Sequence, residues 1–324
     1  MFKTIHRIPK ILKSFNEIPS GFDTPKAKKF KIKNIDEAPG SQDLMGILHH
    51  QGVEVLDGNV NMIIVGSTRG HPGYGYVVKD GNGQLLDNGN HHFLIDQAYT
   101  HPGGVQAAED ILAIGNEQYN GLVTRSDRSM IRFYDISDDQ NITELRHLAI
   151  RRDSTTGYHN EAIASALGIT KFHDQWIVAV RSKQTLDFYT YQGDLKSPSA
   201  CFTRLGSLDR EKHHIYEYQS IYLYFSTADK LYMFGMPRKS ENDDKCYLHL
   251  IKKTEKNGII KKITGATTIR VRHFKRNGRG PRFKWASCIE FIPDASRVDG
   301  GKFRIYSIEA NVNNHEIRGN YWSS

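Results

Sequence analysis

The stretch HPGGVQAAEDILAIGNEQ, residues 101–118, carries most of the local information about the fold of this chain. Two glycines follow a His-Pro pair, and a mixed run then leads to the turn residues Glu109 and Asp110. A strongly apolar run comes next and ends abruptly at Glu117. Two strand-like runs joined by a tight turn predict a β-hairpin whose open ends meet at one edge.

The same pattern recurs along the chain, so the hairpin is one copy of a repeated unit. Each copy has a short strand with small or polar residues, a turn built on Asp, Asn or Gly, and a strongly apolar strand. The copies are HHQGVEVLDGNVNMIIVGS (49–67), HPGGVQAAEDILAIGNE (101–117), ALGITKFHDQWIVAVRS (166–182), EYQSIYLYFSTADKLYMFGM (217–236) and KWASCIEFIPDASRVDGGKFRIYSIEAN (284–311). A third strand and a weaker fourth strand follow in several copies, and the period of roughly 50 to 65 residues is typical of propeller blades.

These repeats predict an all-β fold, a β-propeller of five four-stranded blades that forms a single domain over residues 28–324. The early run KKFKIKNI (28–35) has no unit of its own, and the fifth unit has few residues left for its outer strands. We therefore expect the N-terminal strand to complete the last blade and close the ring, which removes free sheet edges. Six blades are the alternative, if residues 120–160 contain a further unit.

Through these repeats the chain resembles the β-propeller superfold over nearly all of its length after residue 28. It lacks the recurring Trp-Asp dipeptide of WD-repeat propellers and the paired glycines of kelch propellers. The run IRFYDISDD (131–139) resembles strand ends of uncharacterised bacterial propellers. The resemblance implies the fold and brings no activity with it.

Composition limits the classes of function. No apolar run approaches the ~20 residues that a membrane-spanning helix needs, and the first residues lack the apolar centre of a secretory signal. A cytoplasmic protein is therefore expected, with a non-classical secretion route left open. Cys201, Cys246 and Cys288 are isolated in the sequence, which argues against a disulfide framework or a zinc knuckle.

The formal net charge of +8 is distributed unevenly along the chain. Residues 1–33 sum to +7 and residues 252–284 sum to +11, so the remainder carries −10. We interpret residues 1–27 as a basic N-terminal arm and residues 252–284 as a possible face for an anionic partner, nucleic acid included. The alternative for the first block is an N-terminal extension packed on or loosely tethered to the domain, and the alternative for the second block is a solvated loop face.

Propeller geometry predicts where ligand-binding residues lie. The innermost strand of each blade starts at the same face at which the second strand ends, around the central channel. Polar side chains at these positions therefore form a funnel. The predicted binding residues are His50, Gln51, His101, Gln106, Arg181, Gln219, Trp285 and Asn311.

The funnel suits more than one chemistry. Glu117, Glu309 and Glu161 are the candidate catalytic carboxylates, since two carboxyl groups on different blades support general acid and base catalysis. No cofactor is evident from a motif, although a divalent metal is possible. Its candidate ligands are His50, His101 and His214. The alternative is that these polar side chains satisfy one another by hydrogen bonding.

No specific catalytic motif is present, because G-x-S-x-G, H-E-x-x-H and a Gly-rich phosphate loop are all missing from the sequence. We therefore expect a monomeric binding module for a small molecule, glycan or protein that uses the funnel and the basic face. A hydrolase, glycosidase-like or metal-dependent, is the alternative. Carboxylates that are widely separated or locked in salt bridges would argue against the hydrolase.

Overall fold

The structure, a computed structural model, describes most of the chain. The described residues are 7–18, 26–31, 49–57, 61–67, 73–79, 84–85, 93–95, 99, 101–118, 128–138, 141–153, 163–164, 166–238, 244–274, 281–297, 300–309 and 316–323. Within them the chain forms strands almost throughout, with one short α-helix and a 3-10 turn at Arg146–Leu148. None of the described helices is long and apolar enough to cross a bilayer.

The strands are numbered in chain order and form five sheets, named I to V here. The first elements are β1 (Arg7–Ile8), α1 (Ile11–Asn16) and β2 (Lys26–Lys31). Sheet I contains β3 (His49–Asp57), β4 (Asn61–Ser67), β5 (Gly73–Lys79), β6 (Gln84–Leu85) and β7 (Phe93–Ile95). Sheet II contains β8 (His101–Ala108), β9 (Ile111–Glu117), β10 (Arg128–Asp135), β11 (Thr143–Glu144) and β12 (Ile150–Asp153). Sheet III contains β13 (Leu167–Phe172), β14 (Gln175–Arg181), β15 (Thr185–Gln192) and β16 (Thr203–Asp209).

The last two sheets also include strands from the N-terminal part of the chain. Sheet IV contains β17 (Tyr218–Ser226), β18 (Leu231–Pro237), β19 (Asp244–Lys256) and β20 (Ile259–Phe274), with β1 added beside β17. Sheet V contains β21 (Ala286–Pro293), β22 (Gly301–Ile308) and β23 (Glu316–Ser323), with β2 added beside β23.

The first strand of each repeated unit lies at the centre of the molecule. The strands β3, β8, β13, β17 and β21 contact one another in that order, and β21 contacts β3 again, so they form a closed ring. The second and third strands follow outward as antiparallel neighbours. In sheets I and II two short pieces share the third strand as their partner, namely β6 and β7 on β5, and β11 and β12 on β10. The prediction of an all-β propeller is confirmed.

The chain closes on itself as the sequence predicts. β2 pairs with β23 in antiparallel register from Lys26 opposite Tyr321 to Lys31 opposite Glu316. A strand from the N-terminal part of the chain therefore forms the outer edge of the last sheet. The strands β10, β11 and β12 fall in the 120–160 region and all join sheet II, so the described residues there add no further sheet.

The segment that precedes β2 packs against the domain. β1 pairs in parallel with the end of β17, where Arg7 lies opposite Phe225. Ile11 and Phe15 are one helical turn apart in α1, and both are buried in the same core cluster as Ile8 and Ile18. The described residues 7–18 of the predicted basic arm thus contribute apolar side chains to the core.

Hairpin turns follow the chemistry predicted from the sequence. Glu109, His173, Asp229 and Asn257 lie at or beside the hairpin turns with φ between 52° and 59°. A left-handed backbone is tolerated best by Gly, Asn and Asp and closes a tight turn. β14 is buried on both faces, since every one of its residues is buried and its sheet packs against two neighbours.

Glycine is required where the innermost strands approach one another. A Cβ atom at Gly52 would collide with the carbonyl oxygen of Gly103, and one at Gly104 would collide with the backbone nitrogen of Leu167. The β8–β9 register also shifts between Pro102 and Val105, which marks a β-bulge at the two glycines. The glycine pair in residues 101–118 therefore lets β8 fit between its neighbours in the ring.

Candidate functional site at the channel mouth

The channel mouth is the end of the ring at which the innermost strands begin. His49 lies opposite Ser67, His101 opposite Glu117 and Leu167 opposite Val180, so the second strand of each unit ends where the first begins. This register confirms that both ends of the hairpin at residues 101–118 lie on one face. Polar side chains from several sheets are positioned there.

His101, Glu117 and Arg181 form the central charged cluster of the mouth. The Nδ1 atom of His101 lies 3.5 Å from Oε2 of Glu117, whose other oxygen accepts a hydrogen bond from the backbone N–H of Ala164 at 3.0 Å. Burial raises the pKa of Glu117, but His101, Arg181 and the Ala164 N–H outweigh it, so that the pKa is lowered overall. Glu117 is therefore a carboxylate at neutral pH.

Arg181 provides the positive charge of the cluster. Its side chain is buried, with 3% of the residue exposed. Burial is the main cause that lowers its pKa to about 10, with Glu117 acting in the opposite direction. The guanidinium stays protonated at neutral pH. Arg210, Glu217 and Arg238 lie near enough to influence that pKa, so the mouth carries more positive than negative charge on this side.

The three predicted glutamines are hydrogen-bonded within the protein. Gln106 on β8 accepts from the backbone N–H groups of Ile169 (2.8 Å) and Leu223 (2.9 Å) and donates to the Leu223 carbonyl (3.1 Å). Gln219 donates to the side chain of Gln51 at 3.1 Å and to its carbonyl at 3.2 Å. These side chains connect innermost strands, and their polar atoms serve the fold.

A tyrosine completes the filling of the ring below the mouth. The Tyr222 hydroxyl on β17 lies 2.7 Å from the carbonyl oxygen of Val53 on β3 and 3.2 Å from that of Ser287 on β21. With Gln106 this side chain bridges strands across the centre of the ring. A ligand of the mouth would therefore bind above these side chains and not pass through them.

The predicted metal ligands are not brought together as a set. His50 is buried, and its Nδ1 lies 2.9 Å from the backbone carbonyl oxygen of Glu309. His214 is exposed, in the segment that connects β16 with β17. His101 has a carboxylate beside it, that of Glu117. The described residues contain no group of three His, Cys, Asp or Glu side chains that fits a metal ion.

Aromatic side chains mark the rim of the mouth. Trp285, one residue before β21, is partly exposed, and the Lys284 ammonium lies 4.1 Å above its ring. Tyr216, two residues before β17, is 48% exposed, and its ring centre is 4.5 Å from that of Tyr247. Trp285 is among the binding residues predicted from the sequence, and Tyr216 is not. The position of Tyr216 just before an innermost strand is the signal that identifies it.

Two of the predicted site residues, Glu161 and Asn311, lie outside the described residues. Glu309 is described and is buried next to the end of β22, with 9% exposed. Glu117 is the mouth carboxylate whose contacts with His101 and Ala164 are given above. Residues that the sequence analysis did not select, Arg210, Glu217 and Arg238, lie around Arg181.

The basic block at residues 252–284 falls mainly on one long hairpin. We call β19 and β20 the basic ribbon. Its end is fixed to sheet III by Gln175, which accepts from the Ile260 N–H at 2.8 Å and donates to the Ile260 carbonyl at 3.0 Å. Lys253 is held by Glu255 at 2.5 Å and lies 4.5 Å from the centre of the Phe172 ring. The exposed lysines of the ribbon are Lys252, Lys256, Lys261 and Lys262.

Comparison with known proteins finds similarity to solved structures at 10–11% sequence identity. No protein-family model and no curated protein matches this sequence. The solved structures that resemble it include a GH43 endo-arabinanase from Bacillus licheniformis, at 11% identity and a TM-score of 0.44, covering 80% of this chain and 94% of that chain. The α-L-arabinofuranosidase PaAbf62A from Podospora anserina, solved in complex with cellotriose, has 10% identity and a TM-score of 0.46 over 93% of this chain and 97% of that chain. A GDP-Man-dependent mannosyltransferase from Leishmania mexicana has 10% identity and a TM-score of 0.41 over 96% and 92% of the two chains.

Proposed function

We propose that this propeller binds a carbohydrate at the channel mouth. The observation that carries the proposal is the combination of exposed aromatic rings with a carboxylate and a guanidinium on one face of the ring. Tyr216 and Trp285 each precede an innermost strand, and Glu117 and Arg181 each end a second strand. Glu217, the neighbour of Tyr216 in the sequence, is close enough to act on the pKa of Arg181, which supports a common site for the aromatic and charged residues.

The residue types at the mouth match the chemistry of a sugar. Hydroxyl groups both donate and accept, so they pair with a carboxylate and a guanidinium at once. The C–H faces of a sugar ring are apolar and pack on aromatic rings such as those of Tyr and Trp, which leave their polar tips in water. The buried glutamines fill the ring below the mouth, so the ligand binds in the outer part of the mouth.

A glycan array followed by titration of the best ligand tests the proposal. We expect binding to weaken by at least about tenfold, or 1.4 kcal/mol, in Tyr216→Ala and in Glu117→Gln. Leu12→Ala is the matched control, because Leu12 is the other large apolar side chain that is exposed in the described residues, and it lies on α1, away from the mouth. Failure of every glycan to bind, or equal affinity for all three variants and the parent protein, would refute the proposal.

The hydrolase alternative is favoured by the contact between His101 and Glu117. An ionised carboxylate beside a histidine orients the imidazole, and an oriented imidazole suits a general base that activates water. The lowered pKa of Glu117 excludes it as the proton donor in that scheme. Incubation of the bound glycan with the protein distinguishes the two functions, since only a hydrolase releases shorter products. For a hydrolase we expect His101→Ala to abolish product release, whereas Tyr216→Ala mainly weakens binding.

The basic ribbon supports a second interaction, with an anionic partner. Lys252, Lys256, Lys261 and Lys262 are exposed, and none has an ion-pair partner among the described residues. The carboxylate closest in sequence, Glu255, is already paired with Lys253. Four unneutralised lysines on a fixed two-stranded surface suit a partner with several phosphate or sulfate groups, because binding then releases the counterions of that partner.

A further inference from the structure

A groove of about 630 Å³ lies at the end of sheet IV opposite the channel mouth. One wall is formed by α1 and the other by the turn between β17 and β18. Six of its lining residues are Lys10, Lys13, Asn16, Ser226, Lys230 and Tyr232.

The walls of the groove are fixed by contacts with the core. β1 pairs with the end of β17, and the backbone N–H of Thr227 donates to the Ile8 carbonyl at 3.3 Å. Ile11 and Phe15 anchor the helix from below, and the ring of Phe15 lies 5.2 Å from that of Phe234. The groove is therefore a preformed feature of the fold, which is typical of sites for small ligands.

The charge of the groove is positive. Lys10, Lys13 and Lys230 are all exposed, and Glu17 is the only acidic residue among those that line the groove. Glu17 is neutralised by an ion pair with Arg297 and lies 3.8 Å from Lys13. The nearby Asp229 is paired with Arg7 at 3.0 Å. Lys10 and Lys230 have no ion-pair partner in the described part of the chain.

The remaining lining groups define the kind of ligand. The hydroxyl groups of Ser226, Thr227 and Tyr232 and the amide of Asn16 supply neutral hydrogen-bond donors beside the three ammonium groups. Ile11 and Leu12 add apolar surface. Lys10 also has a left-handed backbone conformation (φ 47°), in which glycine is the favoured residue, so the position carries a charged side chain at a conformational cost.

We propose that this groove binds the phosphate group of a phosphorylated small molecule. The ammonium groups neutralise the phosphate, the neutral donors hydrogen-bond to its oxygens, and the apolar wall takes the organic part. The site is separate from the channel mouth and does not depend on carbohydrate binding there. Its phosphate comes from a soluble metabolite or from a lipid headgroup, and the test distinguishes these two sources.

Calorimetric titration with inorganic pyrophosphate at low ionic strength tests the groove. We expect saturable binding in the parent protein and a loss of at least about tenfold in affinity in the double variant Lys13→Ala/Lys230→Ala. The matched control is Lys183→Ala/Lys212→Ala, which removes the same charge at two exposed lysines outside the groove and the ribbon and leaves pyrophosphate binding unchanged. Lys10 is kept because a substitution at a left-handed position alters folding by itself.

Vesicles of phosphatidylcholine with phosphatidic acid form the second arm of the experiment. Pyrophosphate binding that is lost in the groove variant assigns a soluble ligand. Cosedimentation with vesicles alone, lost in the same variant, assigns a lipid headgroup. Equal weakening in the groove variant and the Lys183→Ala/Lys212→Ala control would show attraction by net charge only and would overturn the proposal, as would the lack of binding in both arms. A melting temperature that is unchanged in both variants confirms that each is folded.

Discussion

The charges between sheets II and III and those on the basic ribbon have opposite environments. Arg152 and Asp187 are fully buried and 2.6 Å apart, and Asp187 also accepts from Ser182 at 2.7 Å. Lys256 and Lys262 on the ribbon face water and have no ionic partner among the described residues. The first pair stabilises the fold through mutual contacts, whereas the ribbon lysines leave their charge available to another molecule.

This difference has an energetic basis. A buried charge that loses its partner costs several kcal/mol, because water no longer solvates it. An exposed charge interacts weakly with its neighbours, by about 0 to 1 kcal/mol. Basic residues therefore fall into two groups that the sequence alone does not separate. Buried ones join sheets through ion pairs, and exposed ones are available to bind another molecule.

The largest effect is expected for the buried pair. Asp187→Asn leaves the Arg152 guanidinium buried without a counter-charge, and we expect the free energy of unfolding to fall by about 3 to 5 kcal/mol. Urea denaturation measures the change. Lys171→Met is the matched control, because its pair with Glu109 at 3.0 Å is partly exposed, and it should cost less than about 1 kcal/mol. Equal costs for the two variants would remove the distinction between buried and exposed charge drawn above.

His249 extends the comparison to a buried group that is kept neutral. It lies 2.5 Å from the Tyr218 hydroxyl and 3.1 Å from that of Thr268, and burial lowers its pKa to about 4. The unfolded chain has the ordinary histidine pKa near 6.5, so it binds a proton between pH 6.5 and 4 while the folded protein does not. Stability that is fully present above pH 6.5 is therefore lost as the pH falls, by about 3 kcal/mol for this residue.

Unfolding free energies measured by urea between pH 7 and pH 4 test the His249 prediction. In His249→Gln the baseline stability is lower, but the part of the pH dependence due to this histidine disappears. The exposed His273, replaced by Gln, provides the matched control for the substitution. If the free energy of unfolding has the same slope against pH in the parent protein and in His249→Gln, the lowered pKa of His249 is contradicted.

The smallest effect on stability is expected on the basic ribbon. Replacement of Lys252, Lys256, Lys261 and Lys262 by Ala should leave the melting temperature nearly unchanged and lower the affinity for heparin or duplex DNA. For DNA, the slope of log K against log salt should decrease by up to about 0.9 per lysine that contacts a phosphate. Lys253→Ala is the control on the same ribbon. It removes the contact with the Phe172 ring and should lower stability more than it lowers affinity.

Local sequence patterns were sufficient to predict most of the fold. The turn residues, the glycine pair at 103–104 and the alternation of apolar runs are all short-range signals, and each corresponds to a feature of the structure. The pairing of β2 with β23 was predicted because the early strand has no repeated unit of its own and the last unit lacks residues for its outer strands. The sequence left open whether the N-terminal segment packs on the domain, and no local pattern showed that Ile8, Ile11 and Phe15 join the core.

The site was predicted only in part, and the reason is the range of its contacts. His101 and Glu117 belong to one hairpin, so their proximity follows from strand register. The bonds of Gln106 to Ile169 and Leu223 join residues 63 and 117 positions apart, which no local pattern encodes. Through these bonds Gln106, which was predicted to bind a ligand, connects innermost strands of the ring. His214 lies on the exposed connection that leads into β17, as Tyr216 does.

The pairing of β2 with β23 also sets an order of events during protein synthesis. The residues of β2 leave the ribosome early, while their partners between Glu316 and Ser323 are translated after all five innermost strands. Sheets I to III contain only strands that are consecutive in the chain, and they can form as they emerge. Until the last sheet forms, β2 has no partner strand. Four of its six residues are Lys, and their positive charge opposes pairing of β2 with other chains during this interval.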